Sequence, residues 1–170
     1  VNYEEAAAAL AEVPSRAILR LWRYPSFENW KSWTLVGDFR SPSGLADESA
    51  RLDEVVWDST LDCSRFTDPM AGLRWGTHRA PTLRRRSVVV PTDFIEGMLV
   101  ELSRLQVVVA PDNRIVGLDG TSYGLQTYRS IGGIGLQWWG EHPREWELLR
   151  HWHEGALDNF EALLDQAETT

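Results

Sequence analysis

The most constraining stretch of this chain is its last. From Pro143 to about Gln166, apolar residues recur at helical spacing with no internal proline. Leu148, Leu149, Trp152, His153, Ala156, Leu157, Phe160, Leu163 and Leu164 form one wide stripe. Arg144, Glu147, Arg150, His151, Glu154, Asp158, Glu161 and Asp165 occupy the other side. A helix this long must bury its stripe against another layer, and the rest of the chain offers short alternating segments of the kind that form sheets. Pro143 suits a first helical turn. Gly155, in mid-pattern, costs about 1 kcal/mol relative to alanine and marks a close approach or a break.

Asn2 to Val13 reads as an opening helix capped by Asn2, with Glu4 and Glu5 at the positive end of its dipole and Pro14 ending it. Alternation over Ala17–Tyr24 and Trp33–Phe39 predicts two paired strands around a Pro25–Ser26 turn. Leu45–Asp53 reads as a loop or one helical turn, and Val55–Trp57 as the start of a strand reaching toward Leu61. Phe66 to Thr82, with two prolines and two glycines, is the longest irregular connection. Leu83–Val90 is a strand with three consecutive valines. A helix near 92–105 follows, with Asp93 and Glu96 at capping-box spacing and Phe94, Ile95, Met98, Leu99, Leu102 and Leu105 on one stripe. Gln106–Val109 reads as a short strand. Arg114–Leu118, Ser122–Arg129 and Ile134–Trp139 then form a meander, turning at Asp119–Gly120 and Ile131–Gly133. The expected fold is one α+β domain over residues 1–170. It has a mostly antiparallel sheet with a meander at about 114–139, the helix near 92–105, and the long C-terminal helix packed on it.

Composition narrows the function. The single cysteine, Cys63, cannot form an internal disulfide, which points to a reducing compartment and a cytoplasmic protein. No apolar stretch approaches the roughly 20 residues of a membrane helix, and no leader-like segment opens the chain. With 17 basic and 25 acidic residues the net charge is −8, so a nucleic-acid backbone is not the expected partner. Nucleophile elbow, phosphate-binding glycine loop, paired-cysteine spacing and dinucleotide fingerprint are all missing, so neither cofactor nor metal is expected.

Nine tryptophans exceed ordinary usage several-fold and serve either as core filler or as a binding surface. In the Trp138–Trp139 pair, strand alternation lets at most one ring face the last helix, leaving the other for water, a loop or a partner. Trp138, Trp139, Tyr123 and Tyr128, with Trp75 and His78 from the long connection, are the candidate partner-binding residues. Asp58, Asp62 and Asp68 near His78 are the alternative, catalytic set for a site under the 66–82 segment. Glu147, His151 and Glu154 align on one helix flank, as does any solvated ion-pair row. His153 lies on the apolar stripe, as a hydrogen-bonded core histidine would. Arg84, Arg85 and Arg86 form a basic run that either engages an acidic partner or a nucleic-acid backbone locally or decorates an exposed edge strand. The acidic flank of the last helix matches either a basic partner or plain solvent.

Leu118-Asp119-Gly120-Thr121-Ser122-Tyr123, then Leu136-Gln137-Trp138-Trp139-Gly140, Pro143 and Trp146, resemble a module of small uncharacterised bacterial proteins, some of them similar to toxin-neutralising immunity proteins. The resemblance covers about the last 50 residues and brings no catalytic residue with it. It implies a bacterial cytosolic binding protein; with the residues and the acidic charge, the expected reading is a non-enzymatic monomer or homodimer that acts by binding a protein partner, basic in charge. The alternative from the residues is a small-molecule or carbohydrate-binding protein or hydrolase.

Overall fold

The computed structural model describes residues 3–37, 50–66, 80–109, 111, 119–128 and 133–169. In chain order these form α1 (Tyr3–Ala11), β1 (Ala17–Pro25), β2 (Trp30–Val36), β3 (Ala50–Trp57), α2 (Ser59–Phe66), β4 (Leu83–Val90), α3 (Thr92–Arg104), β5 (Thr121–Thr127) and β6 (Gly135–Trp139). A single 3-10 turn at Arg144–Trp146 then leads into α4 (Glu147–Glu168). The fold is α+β, with all strand pairs antiparallel in one six-stranded sheet of order β4-β3-β2-β1-β5-β6.

Register sorts the side chains. Leu21 stands opposite Trp33 and Leu125, Trp33 opposite Glu54, and Glu54 opposite Arg86, so these residues share one face. That face, with Leu19, Leu35, Leu52, Val90 and Trp138, forms the main core with α3 and α4, where Ile95, Leu149, Phe160 and Leu164 are buried. The opposite face carries Arg20, Trp22 and Tyr24 of β1, Trp30 and Ser32 of β2, and Val55 and Trp57 of β3. Over it lies α1, whose nine residues would be marginal alone. Ala6 and Leu10 bury against Trp57, and the Leu10 carbonyl accepts hydrogen bonds from Arg20 Nη2 at 2.9 Å and Ser32 Oγ at 3.0 Å. The negative end of the α1 dipole thus rests on a guanidinium.

Several expected boundaries move. Val55–Trp57 closes β3 rather than opening a strand, and Leu61 lies in α2. Residues 50–53 are strand, while 45–49 lie outside the described residues. The second strand starts at Trp30, which pairs with Trp57 across β2 and β3. Pro91 precedes α3 and no side chain caps that helix, so the Asp93–Glu96 box does not form. Gln106–Val109 is not a strand: Val109 is 92% exposed and the Val108 carbonyl accepts from Trp146 Nε1 at 2.8 Å. Of the meander, β5 and β6 pair as expected, whereas 114–118 lies outside the described residues. Gly155 neither breaks α4 nor makes a close approach, because a Cβ there would meet nothing within 4 Å.

His153 is the buried histidine that the stripe implies. It is 1% exposed, its Nε2–H donates to the Gly124 carbonyl at 3.2 Å, and its ring meets Trp138 edge-to-face at 5.0 Å. Burial, only partly offset by that hydrogen bond and by Glu154, lowers its pKa to about 4. The folded state therefore holds the neutral ring. The resulting stability is complete above the unfolded-state value of about 6.5 and is lost as pH falls from there toward 4, by about 3 kcal/mol in all. Urea titrations at pH 7 and pH 4.5 are expected to show that loss shrinking in His153→Gln, which keeps a donor and removes the titration.

Candidate functional site

On the α1 face, at the end of the sheet where β1 turns into β2, an aromatic recess of about 410 Å³ opens between α1 and the strands. Tyr3 and Ala7 of α1, Tyr24, Pro25, Ser26, Trp30, Ser122 and Trp139 line it. Local sequence explains the assembly. Trp22 and Tyr24 alternate on β1 with Arg20, so all three side chains leave the sheet on the same side. Tyr24 stacks on Trp30 with centroids 4.9 Å apart and planes 18° apart, and Trp30 meets Trp57 edge-to-face at 5.0 Å. Tyr3 closes the cluster from α1, 5.9 Å from Trp30 and 5.1 Å from Trp57. Hydrogen bonds fix the walls: Trp30 Nε1 donates to the Pro25 carbonyl at 2.9 Å, and Ser26 Oγ donates to the Gly120 carbonyl at 2.8 Å. Trp139 lies against Gly120, where any Cβ would stand 2.9 Å from its Nε1. That nitrogen is buried and has no acceptor. Tyr3, at its mouth, is 54% exposed.

Behind the recess stands Arg20, 7% exposed. Its Nη2 donates to the Tyr24 hydroxyl at 2.7 Å, and its guanidinium carbon lies 4.9 Å from the Trp22 ring centre. Burial pushes the Tyr24 and Tyr128 phenols above their ordinary pKa, with Arg20 pulling both back, so both stay protonated at neutral pH.

Of the six expected partner-binding residues, the structure brings one to this site. Trp139 lines the recess, while Tyr128 lies beside Arg20 and donates to Gln126 Oε1 at 2.9 Å. Trp138 points the other way, 5% exposed in the main core, stacked on Tyr123 at 5.8 Å. The alternation argument for the pair holds, and the outward ring is Trp139. Trp75, His78 and Asp68 lie outside the described residues.

The two described carboxylates of the alternative set have structural partners. Asp62, 3% exposed, accepts from Trp57 Nε1 at 2.7 Å and from the Thr82 amide and hydroxyl at 2.8 and 2.6 Å. Asp58 Oδ1 accepts from the Leu61 amide at 3.0 Å, capping the start of α2. His151 contacts Arg150 Nη2 at 3.0 Å, and among the described residues no group of three His, Cys, Asp or Glu side chains could hold a metal ion. Nor is any described helix long and apolar enough to cross a membrane. A second cavity of about 350 Å³ lies between α3 and α4, lined among others by Asp93, Glu101, His151 and Trp152.

Tyr3, Tyr24 and Trp30 were not singled out by sequence reasoning. A signal existed in Arg20-x-Trp22-x-Tyr24, a cation and two aromatics at strand spacing, which a packed apolar face does not require. Compared with known proteins, the chain matches no protein-family model, no curated protein and no solved structure.

Proposed function

We propose that this is a non-catalytic binding protein that seats an anchor side chain or chain end of a protein partner in the aromatic recess. A toxin-neutralising inhibitor is the most concrete form of that role. The observation that carries it is the recess itself, a half-open pocket of four aromatic side chains, of which Tyr3 is more than half exposed. Tryptophan and tyrosine around a concave centre are what binding hot spots are made of. The net charge of −8 favours a basic partner by steering its approach. The positions of Asp58 and Asp62, each engaged in holding α2 and its neighbours, weigh against a hydrolase built on them. The size of the recess favours a second reading, a small-molecule binder, since ligand pockets begin at about 300 Å³.

The test is capture of a stoichiometric partner from the native host, followed by calorimetry with that partner purified. Trp139→Ala and Trp30→Ala are each expected to weaken binding by at least about 30-fold, the size of a hot-spot truncation. Leu148→Ser, on the exposed flank of α4, should leave it unchanged. A partner held equally well by the folded Trp139→Ala protein would overturn the assignment of the recess.

A further inference from the structure

We propose that the group entering the recess is flat, apolar and tipped with a carboxylate. The inference rests on the reading of the recess as the binding site and adds the charge of what binds there. Arg20 carries it. Its guanidinium is always charged, it is 7% exposed, and among the described residues no carboxylate pairs with it. Its partners are a carbonyl, the phenols of Tyr24 and Tyr128 and the face of Trp22, and its Nε has none. Buried charges are ordinarily paired, because an isolated one loses its hydration without compensation. The negative end of the α1 dipole offsets part of that loss. What remains is a positive field directly behind the Tyr24 wall.

The polar groups of the wall point to the same chemistry. The Tyr24 hydroxyl accepts from Arg20 and so keeps its own proton to donate. Ser122 Oγ accepts from Gln137 Nε2 at 3.0 Å and is left in the same position. Trp139 Nε1–H is buried against Gly120 and is no open donor of the wall. Ser26 is engaged in both directions with Gly120. Two hydroxyl donors before one buried cation fit an acceptor, and an ionised acceptor binds such donors about twice as strongly as a neutral one. A cationic anchor would face the buried Arg20 guanidinium. The chain's net charge of −8 repels anions at long range, so the preference has to be generated within the recess, at distances that salt screens little.

The probes are 3-phenylpropionate and its amide, which share a ring and differ in charge, titrated to about 10 mM by calorimetry and intrinsic tryptophan fluorescence. The acid is expected to bind at least about tenfold more tightly than the amide. Arg20→Gln should abolish that preference. Because Arg20 also anchors α1, Tyr24→Phe is the companion variant, keeping the ring while removing the relaying hydroxyl, and it should cut the preference several-fold. A peptide ending in phenylalanine, as free acid and as amide, separates the sources. Tighter binding of the peptide acid than of 3-phenylpropionate identifies a chain terminus, and equal or weaker binding identifies a free small acid. Equal binding of acid and amide, lost in Trp139→Ala, would overturn the carboxylate while leaving the recess a binding site. Failure of both acids to bind, with a protein partner still lost in Trp139→Ala, would do the same. Failure of all probes together with a partner indifferent to Trp139→Ala would remove both readings.

Discussion

Replacing Arg86 by methionine is expected to cost about 3–5 kcal/mol of folding free energy, read as a lowered urea midpoint at unchanged slope. Arg86 sits opposite Glu54 across β3 and β4 and holds it with two hydrogen bonds, Nε to Oε2 at 2.6 Å and Nη2 to Oε1 at 3.1 Å. The Glu54 side chain is 1% exposed. The same guanidinium reaches Glu161 and Asp165 of α4, both at 2.9 Å, and Glu168 at 3.3 Å. Glu54 first, then Asp165 and Glu168, hold Arg86 still further above its ordinary pKa against the opposing effect of burial. Without it Glu54 keeps, among the described residues, only the cation of Lys31, at 3.9 Å, and Lys31 is already engaged by Glu161. The loss comes mainly from a stranded buried charge, so Arg86→Met combined with Glu54→Leu should recover most of it. If the double variant is no more stable than Arg86→Met alone, the cost lies in the contacts to α4 instead. Arg86 is thus no decoration of an edge strand. Arg84 and Arg85, more than half exposed, fit that description better.

Gly124→Ala is expected to cost about 3 kcal/mol, the upper part of the range for overpacking. A methyl group there would fall inside the Trp22 indole and 2.7 Å from the Leu136 carbonyl oxygen. Trp22 is 8% exposed and lies under Arg20, so it has little room to yield, and the carbonyl belongs to the neighbouring strand. The Gly124 carbonyl also receives His153, so a shift of β5 would disturb both faces of the sheet. Thermal unfolding, with near-ultraviolet circular dichroism to report the tryptophan environment, checks this. An unchanged midpoint would mean that β5 relaxes freely.

The long helix was legible because its stripe spans many turns, and periodicity is strongest where it is sustained. Strand β4 was legible from its β-branched run, and the β5–β6 hairpin from two alternating segments around Ile131-Gly132-Gly133. Strand β3 was not, since Arg51, Asp53 and Glu54 give it the look of a loop. Glu54 is buried only because Arg86, 32 residues further on, and Lys31 of β2 lie beside it, and a local window cannot contain them. Residues 106–109 misled in the opposite sense: valines favour a strand, but a strand exists only where a neighbour pairs with it. At the candidate site, alternation predicted that one ring of Trp138–Trp139 turns from the helix. Which ring it is depends on register. Sequence alone also could not bring Tyr3 of α1 within ring contact of Trp30 and Trp57.

The short α1 helix supplies two lining residues of the recess, Tyr3 and Ala7, and is tied down through one carbonyl shared by Arg20 and Ser32. A nine-residue segment held in this way opens at a lower free energy than the sheet beneath it. The recess therefore exists only in the fraction of molecules whose first helix is docked, and apparent affinity scales with that fraction. Whatever fills the recess draws the amino-terminal segment down onto the sheet, and whatever lifts that segment empties the recess. Occupancy and the order of the amino terminus are two readings of a single equilibrium.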